Sequence, residues 1–147
     1  MGDLAAFTNL VPLENGLVVV STSRANGTIQ SSVVNAGVLD HPITGDPVVA
    51  FVAAGTSRRL VNLRARPRAT VVLRVGWQWA GVEGAVDLIG PDDPRDGIDA
   101  EALRVLLRDI FVAAGGIHDD WDEYDRVMLA ERRAAVLVEP ERTYSNG

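Results

Sequence analysis

Apolar positions follow a strand-like pattern in the first 90 residues and a helical pattern in much of the remainder. The β-branched runs LVVVSTS and PVVAFVAA predict two strands. Between them, apolar and small polar residues alternate, with Asn26-Gly27 as a strong hairpin signal. Six strands are predicted in all, over residues 17–23, 28–39, 47–54, 69–75, 80–90 and 134–138.

Helical spacing and capping residues predict four helices. A short leading helix covers residues 4–10, and Ser57 is a natural N-cap for a second helix that Pro67 stops. Asp99 precedes a longer apolar-periodic run that ends near residue 114. Asp120 and Glu123 form a capping-box pair for a helix to about residue 131, whose Trp121 and Tyr124 are expected to cover the sheet.

The connections between these strands decide the fold class. Most are too short for the crossover helices that a parallel sheet requires, so we predict antiparallel pairing. The length of 147 residues fits a single domain, taken as residues 1–147. The prediction is an α+β, mostly β fold: a small six-stranded antiparallel β-barrel with peripheral helices.

Charge and composition exclude several classes of function. A net charge of -6 argues against nucleic-acid binding, and the chain has no cysteine for disulfides or thiolate chemistry. No apolar run is long enough for a membrane span and no signal peptide is evident, so a cytoplasmic protein is expected. All 14 basic residues are arginines, so any cationic site is built from guanidinium groups.

Five of those arginines crowd into one stretch, GTSRRLVNLRARPRATVVL. Arg58 and Arg59 fall in the first turn after Ser57, where the positive end of the helix dipole disfavours cations unless an anion lies between. Asn62 shares a helix face with Arg59, while Leu60 and Leu63 are expected to face the barrel. Two interpretations stay open: an anion site, or a solvated face paired with acidic residues.

Other residues that carry possible chemistry point less clearly to a site. Trp77 and Trp79 could wall a planar ring, mark a dimer contact or pack in a turn. The segment IHDDWDEYDRV has one histidine among several acids, which helix capping explains without a metal. No hydrolytic triad pattern or phosphate-binding loop is present, and no catalytic side chain is assigned.

Two separated segments resemble a known family. FVAAGTSRRLVNLRARPRATVVL is similar to the strand, Ser-Arg-Lys helix, Asn-Pro-Arg and strand segment of the pyridoxamine 5'-phosphate oxidase-like oxidoreductases. GTIQSSVV resembles the Gly-x-x-Gln-x-Ser-x-Val strand of the branch that uses the deazaflavin coenzyme F420. The resemblance covers residues 17–90 and implies a split β-barrel, usually a homodimer with two cofactor sites at its interface.

The resemblance also implies a cofactor site and a reaction. It implies that Ser57, Arg58 and Arg59 grip the cofactor phosphate. The other cofactor contacts that it implies are Gln30, Ser31, Ser32, Val33 and Val34 against the ring, with Asn62 and Trp79. Hydride transfer to or from a small, conjugated or planar organic substrate is expected, with F420 favoured over flavin mononucleotide (FMN). A non-catalytic deazaflavin or haem carrier is the alternative.

The sequence departs from the family in three respects. Arg59 replaces the usual lysine, which preserves the charge but alters the geometry of the contact. QSSVVN replaces the arginine-rich strand of true pyridoxamine-phosphate oxidases, and their C-terminal substrate motif is missing, so vitamin B6 oxidase activity is not expected.

Overall fold

A computed structural model describes residues 2–147, which form seven strands, four α-helices and one 3-10 turn. The strands are β1 (Leu17–Ser23), β2 (Ile29–Asp40), β3 (Pro47–Ala53), β4 (Arg68–Val75), β5 (Gln78–Ile89), β6 (Ala134–Val138) and β7 (Arg142–Ser145). The helices are α1 (Ala5–Leu10), α2 (Arg58–Ala65), α3 (Ala100–Ala113) and α4 (Trp121–Ala130), and the 3-10 turn is Val11–Leu13.

Six strands close into an antiparallel barrel in the order β4-β1-β2-β3-β6-β5, and a β4–β5 pairing completes the ring. The two longest strands change partners along their length. Residues 29–35 of β2 pair with β1, and residues 36–40 pair with β3. Likewise β5 pairs with β4 over residues 78–85 and with β6 over residues 86–89. This closure confirms the predicted barrel.

The core has two layers. One fills the barrel with side chains such as Val20, Phe51 and Val71, each with 0% exposure. The other lies outside, where α3 and α4 cover β3 and β6 through Leu107, Ile110 and neighbouring residues. Packing the apolar faces of α3 and α4 on the sheet removes the helix and sheet surfaces from water. This burial is the main driving force that holds the two helices there.

The predicted elements agree with the structure to within about two residues at most ends. Leu60 and Leu63 are fully buried, as expected, and Tyr124 packs in the outer core layer. The short strand β7 was not predicted; it pairs with β5 along residues 80–83. Across residues 2–147, no helix combines the length and apolarity needed to cross a membrane.

Candidate anion-binding site

The start of α2 has the capping geometry that the sequence predicts. Ser57 is extended, and its hydroxyl accepts a hydrogen bond from the Leu60 backbone N–H at 3.4 Å. The first turn has no acidic residue, so its free N–H groups and arginines keep an uncompensated positive character. Gly55 sets the approach, because a Cβ there would lie 2.8 Å from the Arg132 carbonyl oxygen. The helix therefore starts against the segment that leads into β6.

Arg59 turns from α2 toward β2, whereas Arg58 is exposed. The Arg59 Nη1 donates to the Ser32 hydroxyl at 2.9 Å. Its Nε is buried and has no hydrogen-bond partner within residues 2–147. A buried donor of this kind normally finds a partner, because leaving it unpaired costs about 1–3 kcal/mol. The guanidinium is thus only partly satisfied by the protein.

A pocket of about 360 Å³ lies beside Arg59. Apolar groups of β2, β3, α3 and α4 form most of its wall, and Arg59 and Arg133 are its charged residues. No carboxylate lines it within the part of the chain that the structure describes. The wall is made by Val33, Val34, Asn35, Val52, Arg59, Ile110, Phe111, Ala114, Tyr124, Met128 and Arg133.

Arg133 gives this pocket a second positive charge. It directly precedes β6, whose Ala134 pairs with Ala53 of β3, so it lies near the chain entering α2. Its guanidinium is held by Glu131, with an Nη2–Oε1 distance of 2.7 Å. Burial lowers the pKa of Arg59 below its ordinary value, and the charge of Arg133 lowers it further. Since an arginine stays protonated in proteins, the lowered pKa marks a site where an added anion is favourable.

Three of the five β2 residues predicted to line a cofactor ring lie near Arg59. Ser32 bonds it directly, and Val33 and Val34 line the pocket. Gln30 contacts α2 instead, through its side-chain oxygen. Ser31 lies with Val33 on the exposed face of β2, where its hydroxyl is 2.9 Å from that of Ser21.

Asn62 joins α2 to the barrel. Its Nδ2 donates to the Thr22 hydroxyl at 3.1 Å and to the Gln30 Oε1 at 2.9 Å. Both amide hydrogens are thereby used, and the residue is 4% exposed. This arrangement gives Asn62 a positioning role: it holds the helix that carries Arg59 against β1 and β2.

Trp79 lies far from this group. It belongs to β5, which is three strands away from β2 in either direction around the six-stranded ring. Its indole meets the Tyr144 ring edge-on at 6.1 Å, and its backbone N–H donates to Asn146. Trp77 is 93% exposed at the adjoining turn. One chain therefore does not bring Trp79 together with Ser32 and Arg59.

Sequence reasoning missed Arg133 and Phe111 as pocket residues, and it assigned Tyr124 only to packing. The phenol of Tyr124 donates to the Leu107 carbonyl at 2.9 Å, and burial raises its pKa to about 12. Such a phenol is a poor proton donor near neutral pH. The sequence indicates Arg133 only weakly, as a basic residue directly before an apolar strand. Its location beside Arg59 depends on the long-range pairing of β3 with β6.

The segment IHDDWDEYDRV caps a helix. Asp120 accepts from the Glu123 N–H at 3.1 Å, while the Asp120 N–H donates to the His118 Nδ1 at 3.0 Å. In a reciprocal capping box the Glu123 side chain would accept from the Asp120 N–H. Here His118 accepts that hydrogen bond instead. No cluster of three or more potential metal-ligating side chains occurs in residues 2–147.

Known structures share this architecture, although no protein-family model matches the chain. A pyridoxamine 5'-phosphate oxidase-related, FMN-binding protein from Nostoc punctiforme superposes with a TM-score of 0.70 at 12% identity, covering 99% of this chain and 84% of its own. The chain has the split-barrel fold of these proteins. A haem-binding protein from Mycobacterium smegmatis gives 0.65 at 13% identity, over 100% and 55% of the two chains. An F420 reductase gives 0.61 at 15% identity, over 92% and 94%.

Proposed function

We propose that this split-barrel protein is an oxidoreductase that binds a flavin-type cofactor by its phosphate, with the deazaflavin F420 favoured over FMN. The observation that carries the proposal is Arg59, half-buried beside a second arginine, with an Nε that has no partner and a pocket wall that has no carboxylate among residues 2–147. Guanidinium groups bind phosphate through paired N–H donors, and we place the phosphate between Arg59 and the N–H groups at the start of α2.

The proposal gives separate tasks to the predicted site residues. Ser57, Arg58 and Arg59 hold the phosphate. The strand from Gln30 to Val34 lies along the ring, with Ser32 and Arg59 linked so that the two parts of the site keep their spacing. Asn62 positions α2 rather than contacting the cofactor. When bound, the cofactor supplies hydride transfer, and the apolar wall around Val34 and Phe111 excludes water from it.

A second copy of the chain completes the site in this proposal. Trp79 lies on the opposite side of the barrel from β2, so a homodimer is required for it to cover a ring held at β2. The outer face of β1 and β2 suits a contact between copies, because Val19 is 44% exposed and Val33, its pairing partner, is 60% exposed. Partly apolar exposed faces of this kind are typical of subunit contacts.

The wall of the pocket is compatible with the substrate class that the family resemblance implies. Its residues are mostly apolar or aromatic, and the phenol of Tyr124 is committed to Leu107. On the family resemblance, a small, planar or conjugated organic molecule is the proposed partner in hydride transfer, with protons taken from solvent or substrate.

A carrier without turnover is the second candidate function. The same lining offers no acid or base with a pKa near neutrality, which suits storage of a cofactor as well as catalysis. Haem is less suited than a deazaflavin, because no histidine lies among the pocket residues. His41 is instead bonded to Asp87 at 2.8 Å.

Titration of the purified protein with F420 and, separately, with FMN tests the proposal. Binding of either below millimolar concentration, lost in Arg59→Ala, is the expected result. Arg64→Ala is the matched control on the same helix, because Arg64 is already paired with Asp93 at 2.8 Å. Absence of binding by the wild type, or equal binding by Arg59→Ala, contradicts the proposal. Failure of the reduced cofactor to be oxidised by enones or quinones favours the carrier.

A further inference from the structure

A second, larger pocket of about 770 Å³ lies between α4, the first half of α3 and the segment that follows β5. Its floor is apolar: Ile89 and Leu107 are buried core residues, and Ile98, Leu103 and Met128 pack around them. This volume falls within the usual range of small-molecule sites, about 300–1,000 Å³. None of the residues predicted for the phosphate or ring contacts lines it.

Residues 90–97, which follow β5, form the mouth of this pocket. Three ion pairs hold residues 90–97 against the rest of the fold. Asp93 binds Arg64 at 2.8 Å, Asp92 binds Arg132 at 2.5 Å, and Arg95 pairs with Asp87. These bonds reach α2, β5 and the residues before β6. The opening is therefore held in place by contacts with three separate parts of the fold.

The arginines at the rim of this pocket differ in whether a carboxylate pairs with them. Arg104 pairs with Glu101 and Asp125, and Arg133 pairs with Glu131. Arg126 lines the pocket and has no ion pair or hydrogen bond among the contacts of residues 2–147. The rim therefore holds one arginine that is free to receive an anionic group, above an apolar floor.

We propose that this pocket is a second ligand site, separate from the Arg59 pocket, for a small apolar molecule with one anionic head group. The apolar body lies on Ile89, Leu103 and Leu107, and the head group pairs with Arg126. Met128 and Arg133 line both pockets, so the two sites are neighbours separated by these side chains. The proposal needs no cofactor and stands independently of the function proposed above.

Isothermal titration of the full chain, without added cofactor, tests this site. The probe is decanoate, with decan-1-ol as the uncharged ligand of equal chain length, both kept below aggregation. Decanoate is expected to bind once per chain, about tenfold more tightly than decan-1-ol. Arg126→Gln should remove that preference for the acid. Arg142→Gln, at an exposed arginine whose nearest carboxylate oxygen is 3.6 Å away, should leave it unchanged.

Leu129→Glu provides a variant that does not disturb the core, since Leu129 is 69% exposed at the rim of the pocket. The new carboxylate should weaken decanoate binding by about tenfold and leave decan-1-ol binding nearly unchanged. The proposal is overturned if wild-type protein binds no decanoate, or if Arg126→Gln and Leu129→Glu both bind it like Arg142→Gln.

Discussion

Arg59 of α2 donates a hydrogen bond to the Ser32 hydroxyl of β2 at 2.9 Å, while its own Nε stays buried and without a partner among the described residues. This single contact joins the two sequence segments that predicted a cofactor site. The protein alone gives the Arg59 guanidinium few hydrogen-bond partners. We therefore expect Arg59 to contribute to ligand binding and little to the stability of the fold.

Replacing Arg59 by leucine should therefore not destabilise the ligand-free protein. The change removes a half-buried charge close to Arg133, so we expect the free energy of unfolding to stay the same or rise by up to about 1 kcal/mol. Urea unfolding of the two proteins measures it. Arg64→Leu, which breaks an exposed ion pair, should lose about 0.2–1 kcal/mol. A larger loss in Arg59→Leu than in Arg64→Leu would show that Arg59 is a structural residue.

Asn62 should behave in the opposite way. Asn62→Ala removes two hydrogen bonds and leaves the buried Thr22 hydroxyl and the Gln30 oxygen without their donor. We expect a loss of about 2 kcal/mol in the free energy of unfolding, measured with urea. Val61→Ala, at a position on the same helix that is 47% exposed, should change stability much less. Equal effects of the two substitutions would rule out the positioning role.

Asp125 should make stability sensitive to acid. Hydrogen bonds from Arg108 and then from Arg104 lower its pKa below the ordinary value of 3.8. A carboxyl with a lowered folded-state pKa stabilises the fold above its unfolded pKa, and this stabilisation is lost as pH falls through the folded value. We therefore expect Asp125→Asn to be less stable than wild type at pH 7. The difference should shrink as thermal unfolding is followed down toward pH 3.

Equal destabilisation by Asp125→Asn at pH 7 and pH 3 would contradict a lowered pKa of Asp125 in the folded protein. Asp122→Asn serves as the control, because Asp122 is exposed on the same helix. Since Asp122 makes no ion pair with an arginine among residues 2–147, its substitution should cost less stability at pH 7 than Asp125→Asn does.

The proposed two-chain site predicts complementation between two defective variants. If Arg59 of one copy and Trp79 of the other form each site, mixed dimers of Arg59→Ala and Trp79→Ala contain one intact site and one doubly altered site. Random exchange of equal amounts should restore about a quarter of the wild-type cofactor sites. Fluorescence titration before and after exchange measures it. No gain of binding, with exchange verified by mass spectrometry, would contradict a site built from Arg59 of one copy and Trp79 of the other.

The barrel was predictable because its signals are local. β-branched runs, the Asn26-Gly27 turn and the capping residues each act within a few positions, and strands with short connections must pair antiparallel. The helix start at Ser57 was predictable for the same reason. Near one another in sequence, Ser57 and Arg59 carried most of the information about the candidate site.

The remaining features depend on contacts between distant residues. β7 is short and forms where Tyr144 packs over Gly81, because any Cβ at Gly81 would lie 2.3 Å from the Tyr144 ring. His41 begins the turn between β2 and β3, and its side chain is 7% exposed and bonded to Asp87, 46 residues away. Arg133 reaches the Arg59 pocket only because β6 pairs with β3. No periodicity within these segments encodes such pairings.

The most direct test of the central claim compares ligands with and without the phosphate. FMN and riboflavin share the ring and differ only in this group, whereas F420 and its phosphate-free deazaflavin differ in the phosphate together with the anionic tail attached to it. Arg59→Ala should weaken binding of each phosphorylated ligand by about tenfold or more and leave binding of the unphosphorylated ligand nearly unchanged. Equal losses for both members of a pair would contradict the claim that Arg59 binds the cofactor phosphate.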